Sequence, residues 1–176
     1  LNPAVAESYT VSDDHLLYTF KLRSGVKFHN GQDVTPEDVI WSYQRCGNPD
    51  SADIIQVAAF ADAEIYQEGE NTVCFRLSEP SNEFISYLTT AVLPKDYTEQ
   101  DTAPVGTGPF KFVSRTAQDS VVLERFDDYW GEKPSLSKVT YKIIENADSV
   151  VMSLQSGAVD LFAHLTATQV AQLGEG

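Results

Sequence analysis

Leu16-Leu17-Tyr18-Thr19-Phe20-Lys21-Leu22-Arg23-Ser24-Gly25-Val26-Lys27-Phe28-His29-Asn30-Gly31 is the stretch that decides the fold class. Tyr18, Phe20 and Leu22 fall on one side of an extended chain, and Thr19, Lys21 and Arg23 on the other. A period of two with one apolar side is the pattern of a half-buried strand. Ser12-Asp13-Asp14 before it and Ser24-Gly25 after it carry turn chemistry, and Asn30-Gly31 closes a second turn behind Val26-Lys27-Phe28. The expectation is a small antiparallel meander.

A helix follows directly. Thr35 can cap the free amides, Pro36 suits the first helical position, and Glu37 and Asp38 place negative charge in the positive first turn. Val34 and Val39 are spaced for a hydrophobic staple, and Val39, Ile40 and Tyr43 make the buried stripe. Gly47 and Pro49 are expected to stop the helix near Cys46. Farther on, Ala63–Tyr66 and Thr72–Leu77 flank Glu68-Gly69-Glu70-Asn71 and predict a hairpin. Pro80 and Ser81 open a short helix with Phe84, Ile85 and Leu88 on its apolar side. Three strands are expected around Phe110 and Phe112, around Val121 and Leu123, and around Val139, Tyr141 and Ile143. Ala147–Ser156 predicts a helix ending at Gly157, Val159–Phe162 a last strand, and the surroundings of Val170 a last helix. That β, α, β order permits a parallel pairing. The class is α+β, with more strands than helices.

Composition excludes several functions. The 176 residues carry 12 Lys plus Arg against 26 Asp plus Glu, a formal charge of −14. Such a chain repels nucleic acid and anionic membrane surfaces. A hydrophobic fraction of 42% supplies a core and excludes a disordered acidic tail. The strongest apolar run, Val57–Ala61, is far too short to span a bilayer. Both ends read as cuts in a longer chain, and Cys46 and Cys74 read as two free thiols in preference to a disulfide.

No reactive constellation stands out. Asp13-Asp14 and Asp127-Asp128 sit beside turn residues, where solvated carboxylates are ordinary; acid and base carboxylates must instead converge on a substrate. His15, His29 and His164 are scattered and are expected to make local hydrogen bonds; no metal spacing is present. Gly106-Thr107-Gly108-Pro109-Phe110 lacks the spacing of a phosphate loop, and predicts a backbone crossing that uses positive φ or close packing. Trp130, in Tyr129-Trp130-Gly131, is expected to plug the core, with a stacking platform as the alternative.

Several segments, taken in order, resemble one family. They are Pro3-Ala4-Val5-Ala6-Glu7-Ser8-Tyr9; the stretch from Tyr18 to Gly31; Val34-Thr35-Pro36-Glu37-Asp38-Val39; Pro104-Val105-Gly106-Thr107-Gly108-Pro109-Phe110; Asp128-Tyr129-Trp130; and Ser156-Gly157-Ala158-Val159-Asp160. Together they resemble the family 5 extracytoplasmic solute-binding proteins of ABC importers, the oligopeptide, dipeptide and nickel-binding type. Tyr9 stands where Trp is common in that family, and Phe110 where Tyr is common.

The resemblance implies a type II periplasmic-binding-protein fold, two lobes that close on a ligand, of which this chain is part of the N-terminal lobe. Residues 1–103 would be mostly the inserted β-rich subdomain with two helices, its first stretch assignable to the main lobe; 104–176 would return to the main lobe, and the second lobe would be absent. The implied function is capture of a peptide or similar small solute in the periplasm or at the outer face of the cytoplasmic membrane, and delivery to permease subunits. No catalysis, cofactor or metal is implied, and membrane attachment would come only from a lipid anchor outside this sequence. By location, the ligand-facing loops would be Asp53, Ile54, Ile55 and Gln56, and Thr89 and Thr90. Gly25, Phe28, Gly31, Asp38, Gly106, Gly108 and Trp130 are assigned to the fold. The alternatives are a sensor or interaction module of the same fold, and an acidic hydrolase using Asp127 or Asp128.

Overall fold

A computed structural model describes residues 4–51 and 57–174. The chain divides into two compact units, Leu1–Lys111 with Arg125–Ser135, and Phe112–Glu124 with Leu136–Gly176.

The first unit is built on a four-stranded antiparallel sheet. Its strands are β1 (Ala6–Val11), β2 (Leu17–Leu22), β3 (Glu64–Gln67) and β4 (Thr72–Arg76), in the order β1-β2-β4-β3. The turn into β2 is fixed locally: Ser12 Oγ donates to Asp14 Oδ1 at 2.5 Å and accepts from Leu17 N at 2.9 Å, while His15 adopts a φ of 56°. The apolar side read from β2 is the buried one, with Tyr18 and Leu22 buried and Phe20 half-buried. Helix α1 (Pro36–Gly47) covers it. Its N-terminus is a reciprocal capping box in which Asp38 N donates to Thr35 Oγ1 at 3.3 Å and Thr35 N to Asp38 Oδ2 at 2.9 Å. Two single-turn helices, α2 (Ala58–Ala61) and α3 (Phe84–Tyr87), close the core. Phe75 is its hub, with ring centroids 5.1 Å from Tyr43, 5.6 Å from Phe20 and 5.7 Å from Phe84. These edge-on arrangements set positive ring edges against negative ring faces.

The second unit holds most of a three-stranded sheet, β5 (Phe110–Thr116), β6 (Ser120–Arg125) and β7 (Lys138–Lys142), in that order. Helices α4 (Ala147–Gln155) and α5 (Ala167–Gly174) follow. Asn146 caps α4 by accepting from Asp148 N at 2.8 Å.

Several expectations need correction. The predicted meander is not formed, because β2 pairs with β1 and β4, while Val26–Phe28 contributes one isolated bridge, Lys27 to Asp33. Strand β1 escaped the sequence reading, since its residues are mostly exposed and carry no apolar alternation. Val159–Phe162 is not a strand. Among the described residues no strand lies beside it to satisfy its backbone, and Leu161 is 82% exposed. The expected end of α1 near Cys46 holds: Gly47 is its last residue, where a Cβ would stand 2.6 Å from the Phe60 carbonyl carbon. Glycine lets α2 approach. The Pro80 helix is shorter than expected, a single turn beginning at Phe84.

Candidate functional site

Helix α1 anchors the segment that follows α3 at three points. Tyr43 Oη donates to Leu88 O at 3.2 Å. Ser42 Oγ accepts from Leu93 N at 2.9 Å while donating to Asp38 O at 2.7 Å. Lys95 N donates to Asp38 Oδ1 at 2.9 Å. Between these anchors, Thr89 is exposed and Thr90 half-buried. Thr90 Oγ1 has a marginal 3.5 Å approach to Tyr87 O.

This Thr89–Thr90 ridge borders two cavities. One, of about 240 Å³, opens over the sheet between Tyr9, Phe20, Tyr43, Phe75 and Leu88, with no charged residue among its described lining. The other, of about 460 Å³, lies toward α1, against Arg45, Cys46, Tyr87 and Leu93. Both threonines line both cavities. The first cavity offers an aromatic shelf, Tyr9 stacked on Phe20 with centroids 5.4 Å apart. The second offers a cation, the Arg45 guanidinium 5.5 Å from the Trp41 ring. The arrangement suits non-covalent binding of a small solute with apolar and polar parts.

Reactive chemistry is poorly served there. Burial pushes the Tyr43 phenol up to about 12, so it stays a donor. Burial also raises the Cys46 thiol on the second cavity, and that of Cys74, which lines neither; both are free and buried, away from nucleophilic thiolate. Among the described residues no group of three or more His, Cys, Asp or Glu is arranged to hold a metal ion. Asp127 accepts from Arg125 Nε at 3.0 Å, and Asp128 is exposed beside it.

Asp53, Ile54, Ile55 and Gln56 lie outside the described residues. Gly25 and Gly31 occupy left-handed turns with φ of 74° and 89°, where glycine is favoured, and Phe28 is buried at 1% exposure. Gly106 and Gly108 depart from expectation: neither has positive φ, and a Cβ on Gly108 would meet nothing within 4 Å. Trp130 is half-buried and not a core plug; the Arg23 guanidinium lies 4.7 Å from its ring. The histidine expectation also changes for His29, whose side-chain partners are Gly106 and Gly108, 77 and 79 residues away. Sequence reasoning missed Tyr9, Phe20 and Arg45 as cavity residues, because no local pattern in their segments marks a cavity.

Across residues 1–176 the chain matches the family model described as bacterial extracellular solute-binding proteins, family 5 middle. The chain belongs to this family. Among the family 5 relatives, the oligopeptide-binding protein AppA of Bacillus subtilis is 32% identical over 173 residues, covering 90% of this chain and 32% of that protein. The solved structure of AgaA from A. tumefaciens R10, in complex with agropinic acid, superposes with a TM-score of 0.90 at 34% identity, over 99% of this chain and 37% of that one. The structure of B. subtilis AppA with a nonapeptide gives 0.85 at 29% identity, over 97% and 36%. These neighbours are binding proteins with the type II periplasmic-binding-protein fold. The chain therefore spans about a third of the length of the family 5 proteins it matches. Among the described residues, no helix is long and apolar enough to cross a membrane.

Proposed function

We propose that this chain is part of the solute-binding component of a bacterial ABC importer, which takes up a peptide or similar small solute outside the cytoplasmic membrane and hands it to the permease. The observation that carries this reading is the Thr89–Thr90 ridge, pinned by α1 and bordered by two cavities in a chain that matches family 5 over its whole length. Thr89 and Thr90, with the stretch Asp53, Ile54, Ile55 and Gln56, are assigned to the ligand-facing side. Residues 1–103 are assigned mostly to the inserted β-rich subdomain and 104–176 to the main N-terminal lobe, and the other lobe supplies the opposite wall of the cleft. Closure of two lobes on a ligand shifts the population toward the state presented to the permease. The protein acts by binding and has no catalytic activity, and it works in the periplasm or on the outer face of the cytoplasmic membrane.

Native mass spectrometry of the full-length protein, purified from its own cells, tests the proposal. A co-purifying small mass that mixed peptides displace is the expected result. An apo mass that persists after incubation with mixed peptides overturns the peptide assignment.

A further inference from the structure

Within the first unit, His29 holds the glycine segment through both ring nitrogens. Its backbone N donates to Gly106 O at 2.9 Å, and Gly106 N donates back to His29 Nδ1 at 3.2 Å. The other ring nitrogen, Nε2, stands 3.0 Å from Gly108 O. A carbonyl can only accept, so Nε2 carries the hydrogen and Nδ1 is the acceptor: the neutral imidazole in one tautomer satisfies both contacts. The ring also packs edge-on against Phe126, with centroids 5.1 Å apart at 71°, and Phe126 N donates to Pro109 O at 2.9 Å. One side chain thus holds the segment leading into β5 and touches the residue just beyond β6. These are the stretches at which the chain leaves the first unit, after Lys111, and returns to it, at Arg125.

We infer that His29 is a pH-sensitive clamp on the Gly106–Gly108 segment, closed while the imidazole is neutral and opened when Nδ1 takes a proton. Protonation would set an N–H against the Gly106 N–H, turning an acceptor into a second donor and removing one bond outright. The surroundings favour the closed state. Burial lowers the ring's proton affinity below its ordinary value, the Gly108 contact opposes this, and the Lys111 charge on β5 adds to the lowering. Charges on the residues flanking His29 and Phe126 are engaged: Lys27 pairs with Asp33 at 2.9 Å and also feels Asp128, and Arg125 pairs with Asp127. Because the folded ring's pKa is depressed, the stability it contributes is complete above the unfolded value near 6.5. It is lost as pH falls through the folded value.

Hydrogen exchange of the full-length protein tests this, read on the peptide that carries Gly106 and Gly108 and corrected for intrinsic rates. Between about pH 8 and about pH 5, wild-type protection is expected to fall about tenfold, the scale of one lost hydrogen bond, while His29→Gln gives a flat profile. A flat wild-type profile, or the same pH dependence in His29→Gln, overturns the clamp. If that variant does not fold, spectra of wild type labelled at histidine nitrogen decide alone. The expected result is the Nε2–H tautomer at neutral pH with a midpoint below 6.5. An Nδ1–H tautomer or a midpoint above that value refutes the clamp.

Discussion

The two units of this chain treat their hydrophobic residues in opposite ways. In the first, Phe28, Val73, Phe75 and Phe84 are at most 2% exposed, and an aromatic cluster joins sheet and helices. In the second, Ser120, Val150, Val151 and Gln169 are the buried residues among those described, while Leu161 is 82%, Met152 63% and Tyr141 60% exposed. Similar apolar material therefore makes a core in one place and an open face in the other. The difference teaches that the first unit closes its own core, whereas the second leaves apolar positions that its own described residues do not cover.

Core truncation should separate the two most sharply. Phe75→Ala removes the hub of the aromatic cluster and is expected to cost about 3–5 kcal/mol in urea unfolding. A loss under about 1 kcal/mol would show that the first unit lacks the tight core described. Next comes Gly47→Val, which forces a side chain into backbone 2.6 Å away and should destabilise by about 1–3 kcal/mol or displace α2. An unchanged thermal midpoint would contradict that close approach.

Two smaller effects probe how α1 is held. Tyr43→Phe deletes the bond to Leu88 O and should cost about 1 kcal/mol at neutral pH. It also tests a pH dependence. Because burial raises this phenol from 10.0 to about 12, its contribution is present below pH 10 and is lost as pH rises toward 12. The variant should lack that alkaline decline, and an identical decline in both proteins would assign it elsewhere. Thr35→Ala opens the capping box and is expected to cost about 1 kcal/mol, measured by chemical denaturation. The smallest effect belongs to the second unit: Leu161→Ala should change the stability of this 176-residue chain by less than about 0.5 kcal/mol. A large loss there would erase the contrast between the units.

Legibility followed the range of the interaction. The alternation in β2, the Thr35 cap with Pro36 behind it, and the β3–β4 hairpin around Gly69 were readable because each is settled within a few residues. Strand β1 was not, since an exposed edge needs no alternation and forms because β2 offers a partner. The Val159–Phe162 expectation failed for the converse reason: apolar, β-prone residues cannot make a strand without a neighbour to pair with. Of the candidate site, the location of Thr89 and Thr90 came from the family resemblance, while the cavities beside them arise from packing of β1, β2, α1 and α3.

By itself the sequence determined the mixed class, the α1 cap, the turns at Gly25 and Gly31 and membership of the solute-binding family, because these rest on short-range sterics and on ordered local motifs. Only the tertiary structure decided that Tyr43 reaches Leu88, that Gly47 must admit Phe60, and that His29 spans to Gly106 and Gly108. Those partners are 13 to 79 residues apart, and no local pattern encodes a contact whose geometry exists only after the sheet and helices have packed.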